Sequence, residues 1–72
     1  MKLSKSEKRI YQHLQQYGHI TSWEAIKEYG NTRLASTIYN LRRKGVEILT
    51  VDQERRNRYG DIVRFADYIL LS

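Results

Sequence analysis

Two helix-start signals and three helix-stop signals divide this chain before any hydrophobicity is counted. Ser4 followed by Glu7, and Thr21 followed by Glu24, each form the pattern in which two side chains satisfy one another's free backbone amides at a helix N-terminus. Gly18, Gly30 and Gly45 each follow a helical pattern, where a left-handed residue commonly ends a helix. No proline interrupts any of it. The punctuation predicts helices over about residues 5–17, 22–29 and 32–44. Asn31 or Thr32 is expected to cap the third, without a glutamate at the reciprocal position. The last two helices are hinged at Tyr29-Gly30-Asn31-Thr32.

Apolar spacing agrees with these limits. Ile10, Leu14 and Tyr17 fall at i, i+4 and i+7, one buried stripe on the first helix, with Tyr11 beside it and Leu3 as an N-terminal staple. The second helix offers Trp23, Ala25, Ile26 and Tyr29 as a packing wedge. On the third, Leu34, Ile38 and Leu41 share a narrow sector at about 100° per residue, and Ala35 leaves room for close approach of the second helix. His19-Ile20 is expected to form a very short strand. From Val46 the period changes to that of a strand. Val46, Ile48, Leu49 and Val51 shift frame at 48–49, the mark of a bulge. Val63 and Phe65, then Ala66, Tyr68 and Leu70, form a return strand with a similar phase change. Asn57-Arg58-Tyr59-Gly60-Asp61 between them reads as a hairpin loop. The order helix, short strand, helix, helix, strand, strand predicts an α+β fold, a single domain over 1–72 with its hairpin at about 46–71.

Seventy-two residues bury only about 60% of the surface the unfolded chain exposes, which leaves no volume for a second core or a roomy catalytic pocket. There is no cysteine, so neither a disulfide nor thiolate-bound zinc is the staple. His13 and His19 are too few for a metal site, no serine–histidine–acid set can be assembled, and no glycine-rich phosphate loop is present. An enzyme, a metal and a cofactor are therefore not expected. No apolar run approaches the roughly 18 residues of a membrane span, and the first residues lack the apolar core of a secretion signal. A cytoplasmic location, with no membrane partner, is the expectation.

Thirteen basic residues stand against eight acidic ones, a net charge of +5. Residues 33–72 hold all but one of the arginines, and arginine suits bidentate contact with phosphates and guanine edges. The exposed stripe of the third helix reads Arg33, Ser36, Asn40 and Arg43, flanked by Thr37 and Lys44. Arginine matches guanine O6 and N7, asparagine matches adenine N6 and N7, and small hydroxyls adapt to either. A face serving solubility alone tends to use glutamate and lysine; this one has no acid. The hairpin tip adds Arg55, Arg56, Asn57, Arg58 and Tyr59, of which strand alternation lets only some face a duplex together. Asp52, Glu54 and Asp61 nearby make this tip less uniformly basic. Arg42 is expected to snorkel or to pair with Glu47, and Trp23 to pack.

The element order resembles the winged helix-turn-helix domain over nearly the whole chain. More narrowly, Ile20-Thr21-Ser22-Trp23-Glu24-Ala25-Ile26, then Gly30-Asn31-Thr32-Arg33-Leu34-Ala35 and Ile38-Tyr39-Asn40-Leu41-Arg42, resemble small helix-turn-helix proteins of bacteriophages and prophages. Arg58-Tyr59-Gly60 and Val63-Arg64-Phe65-Ala66-Asp67-Tyr68 are similar to their wing and last strand. The resemblance implies a recognition helix at 32–44, a wing at 52–61, binding to double-stranded DNA and a role as a small transcriptional regulator in a bacterial host cell. A monomer or weak homodimer is the expected state. A second expectation comes from the same fold, because winged helices also bind proteins. The acids around the wing and the aromatics Trp23, Tyr39 and Tyr59 would then serve a host or phage protein partner, as in an inhibitor of a host enzyme.

Overall fold

In a computed structural model, which describes residues 2–71, the three helices and three strands follow in the expected order. They are α1 (Lys5–Tyr17), β1 (His19–Thr21), α2 (Ser22–Tyr29), α3 (Leu34–Arg43), β2 (Ile48–Arg56) and β3 (Ile62–Leu70). Both capping boxes form. The Ser4 and Thr21 hydroxyls accept from the amides of Glu7 and Glu24, whose carboxylates accept from the amides of Ser4 and Thr21 in return. Gly18 ends α1 with φ 84°, a left-handed conformation that glycine adopts without steric cost.

The helices pack on one face of a three-stranded antiparallel sheet ordered β1-β3-β2. Ile10 and Leu14 of α1, Ala25 of α2, and Leu34, Ile38 and Leu41 of α3 meet Ile20, Val46 and Ile48 in one buried cluster. Leu3, Tyr11, Tyr29, Tyr68 and Leu70 pack against its margin. Burying an aliphatic side chain of this size contributes about 1.5–3 kcal/mol, so the cluster outweighs any cap as a source of stability.

Several expectations need correction. α3 begins at Leu34 and ends at Arg43, inside the expected 32–44, and neither Asn31 nor Thr32 is its N-cap. Arg33 holds that position without a side-chain bond, while Asn31 Oδ1 accepts from the Arg33 amide at 2.8 Å in a turn before the helix. Tyr17 is 59% exposed. It stands at the last helical position and tilts over the outside of the His13 ring, and His13 takes the buried place instead. Trp23 is 69% exposed, because α2 is only two turns long and turns just Ala25 fully inward. Ile26 and Ala35 also face outward. No bulge interrupts the hairpin, whose pairing runs unbroken from Ile48 opposite Leu70 to Arg56 opposite Ile62. The apparent frame shift arises because Ile48 points into the core and Leu49 onto the opposite face. Likewise β3, as the central strand, is half-buried on both faces over Phe65–Leu70.

Candidate nucleic-acid interface

α3 presents two opposed faces. Leu34, Ile38 and Leu41 are buried, and Ser36, Tyr39, Asn40 and Arg43 are exposed, with exposed Arg33 at the N-cap. Ser36, Asn40 and Arg43 stand at i, i+4 and i+7, so their side chains line one strip of the helix. The Arg43 guanidinium carbon lies 5.9 Å from the Tyr39 ring centroid, which holds the charge over an aromatic face at the strip's edge. Among the described residues, no carboxylate forms an ion pair with Arg33 or Arg43.

Two expected members of the strip are placed elsewhere. Thr37 is buried, accepts from Asn31 Nδ2 at 3.2 Å and donates to the Arg33 carbonyl, so it braces the turn. Lys44 lies at the C-terminal end of α3 with its ammonium against Glu7 of α1. Helix geometry accounts for Thr37. It lies about 100° around the axis from Ser36, against about 60° for Tyr39, so Tyr39 is the better member of the strip. Reading Tyr39 as a generic exposed aromatic missed this, although the angle was available in the spacing.

Arg42 does not pair with Glu47. Its Nε and Nη2 donate to the Ile48 carbonyl at 3.1 and 2.7 Å, and Nη2 donates to Thr50 Oγ1 at 2.8 Å. This arginine ties the last turn of α3 to the first residues of β2 and so fixes the hairpin against the helix.

Strand register sorts the hairpin side chains. Residues directly opposite share a face, so Arg55 lies with Val63 on one side and Glu54 with Arg64 on the other. Arg64 Nε donates to Glu54 Oε1 at 3.1 Å, and the Arg55 guanidinium carbon lies 5.7 Å from the Phe65 centroid. Arg56 Nη1 donates to the Gly60 carbonyl at 3.2 Å. Asn57 folds the loop, its Oδ1 accepting from the amides of Tyr59 and Asp61. Arg58 and Tyr59 are left at the exposed tip, and among the described residues Arg58 makes no side-chain hydrogen bond or ion pair. Of the expected row of basic tip residues, Arg55 is engaged with Phe65 and Arg56 with the Gly60 carbonyl, and Arg58 is left without a side-chain partner among the described residues.

A second surface lies on the sheet face away from the core. Trp23, Val63, Phe65 and Arg55 border an open groove of about 680 Å3, with Glu24 and Asp67 along it. His19 Nδ1 lies 3.1 Å from Asp67 Oδ1 at one end. Inside the helical layer, His13 Nδ1 is 2.7 Å from the Tyr29 hydroxyl, and burial pushes the Tyr29 pKa above its ordinary 10.0. These side chains hold α1 to α2, and neither histidine sits in a group of three ligands suited to a metal among the described residues.

Residues 5–72 match the profile of the winged helix-turn-helix domain. No curated protein and no solved structure matches the chain. The profile spans nearly all of a chain whose three helices and antiparallel three-stranded sheet have the corresponding order, and on that ground the chain belongs to the winged helix-turn-helix family.

Proposed function

We propose that this domain binds double-stranded DNA with sequence preference, α3 lying in a major groove and the 52–61 hairpin on the adjacent backbone. The observation that carries the reading is the acid-free exposed strip of Arg33, Ser36, Asn40 and Arg43, backed by a buried apolar face that fixes its direction. Arg33 and Arg43 would take guanine edges or phosphates, Asn40 an adenine edge, and Ser36 either. Arg58 would meet a phosphate. The resemblance to phage- and prophage-encoded proteins supports a role as a small transcriptional regulator working in a bacterial cytoplasm. No helix among the described residues is long and apolar enough to cross a membrane. One module offers a small footprint, so useful specificity calls for two copies on DNA or for a partner.

Neutralising about four to six phosphates gives a log–log salt slope near −4 to −5. Fluorescence anisotropy on labelled duplexes over a salt series measures it. Absence of binding at low salt defeats the proposal. Within it, Arg33→Ala relaxes sequence preference, whereas Arg58→Ala weakens all duplexes alike.

A second reading, a protein-binding winged helix that modulates a host enzyme, is favoured by the Trp23 groove. Exposed tryptophan beside arginine and phenylalanine has the chemistry of an interface anchor, and the carboxylates of Glu24 and Asp67 there disfavour phosphate. Affinity purification after nuclease treatment separates the readings: a stoichiometric partner lost on Trp23→Ala supports this one, and loss of every partner with nuclease opposes it.

A further inference from the structure

Lys44 is the last basic residue of the α3 segment, at the margin of the exposed strip. Lys44 is itself exposed, but its ammonium rests on the carboxylate of Glu7. Glu7 is only 7% exposed, and its Oε1 also accepts from the Ser4 amide at 2.9 Å. The hydrogen bond from Lys44, and after it the bond from Ser4, holds the Glu7 pKa below the ordinary carboxylate value despite burial. Glu7, Asn40, Arg43 and Lys44 line one shallow cleft. A carboxylate therefore stands next to the two groups best placed to approach DNA, in the position a phosphate oxygen would take against Lys44.

We propose that Glu7 acts as an internal substitute for a DNA phosphate, withholding Lys44 from the duplex and so limiting the sequence-independent part of the affinity. The inference rests on the DNA-binding reading above. Its physical basis is an exchange of partners. For Lys44 to swing onto a phosphate, it would leave Glu7 ionised and largely buried without its cation, and stranding a buried charge is costly. The same carboxylate repels an approaching phosphate. Lys44 thus releases no counterion on binding, although it lies beside residues that do.

The test uses wild type, Glu7→Gln, Lys44→Ala and the double variant, each on a selected duplex and on a random-sequence duplex, by anisotropy over a salt series. Glutamine also serves the capping box, so Glu7→Gln removes the charge while keeping the helix start. The expected slope for Lys44→Ala equals that of wild type. For Glu7→Gln it steepens by about 0.9, equivalent to roughly eight-fold tighter binding at 0.1 M salt, equally on both duplexes. The double variant returns to the wild-type slope. A slope for Lys44→Ala shallower by about 0.9 places Lys44 on a phosphate already and overturns the inference, as does an unchanged slope for folded Glu7→Gln. A gain confined to the selected duplex also overturns it, because Lys44 would then be reading a base. Should Lys44→Ala not fold, the double variant against wild type carries the same decision: equal slopes support the inference, and a double variant shallower by about 0.9 overturns it. If no variant binds any duplex at low salt, the DNA reading fails and takes this inference with it.

Discussion

Replacing Arg42 with alanine separates a structural arginine from a DNA-contacting one. In the folded protein its guanidinium makes three hydrogen bonds, two to the Ile48 carbonyl and one to Thr50 Oγ1. Hydrogen bonds from charged groups contribute about 1.5–3 kcal/mol each where shielded, but Arg42 is exposed and its bonds share a donor and an acceptor. A net loss of about 1–2 kcal/mol is therefore expected. For a domain of 60–100 residues each 1 kcal/mol shifts Tm by roughly 4–8 °C, so the variant should melt about 4–16 °C below wild type by circular dichroism. Because α3 and β2 are no longer pinned together, duplex affinity also falls. The salt slope stays at the wild-type value, since no phosphate contact is removed. A wild-type Tm with a slope shallower by about 0.9 would place Arg42 on DNA and refute the argument.

Three further outcomes follow from the same geometry. Leu41→Ala, at a fully buried α3 position, should cost about 2–5 kcal/mol, a large share of the stability of so small a domain, and a denaturant midpoint near wild type would contradict the core described here. Glu7 has a folded pKa below its ordinary value, so the stability it contributes is present above the unfolded pKa of 4.5 and is lost as pH falls through the lower folded one; wild-type melts should weaken over that acidic range, and Glu7→Gln should remove this part of the dependence. Trp23 is the only tryptophan, so the native protein should show red-shifted emission readily quenched by acrylamide, and Trp23→Ala should change stability by no more than about 0.5 kcal/mol; blue, protected emission would place the ring inside.

Most of the fold was legible because local signals were redundant. Ser4–Glu7 and Thr21–Glu24 mark helix starts, Gly18, Gly30 and Gly45 mark stops, and the spacing of Leu34, Ile38 and Leu41 sets the buried face of α3. What escaped was decided by tertiary contacts. Trp23 has the size of a core residue, yet a two-turn helix turns too little surface inward to take it. Tyr17 has the right angular position but stands at the end of α1, where His13 and Tyr29 fill the space. The apparent bulge at Ile48–Leu49 was a strand with apolar residues on both faces, which period alone does not distinguish. The candidate interface was legible as a stripe, but not its membership. Thr37 and Lys44 are polar residues near that stripe which the fold spends on a turn and on Glu7, and only the partner's position reveals this. In the hairpin, the acids flanking the arginines showed only that the tip is not uniformly basic, and the pairing of Glu54 with Arg64 emerges from the strand register.

Selection of bound sequences from a random duplex pool tests the central claim most directly. If Arg33, Ser36, Asn40 and Arg43 read base edges, the recovered sequences should converge on a short motif containing guanine and adenine, and Asn40→Ala should lose the preference at the adenine. A recovered pool with the composition of the starting pool, at low salt and with folded protein, would contradict the claim that this helix face reads DNA.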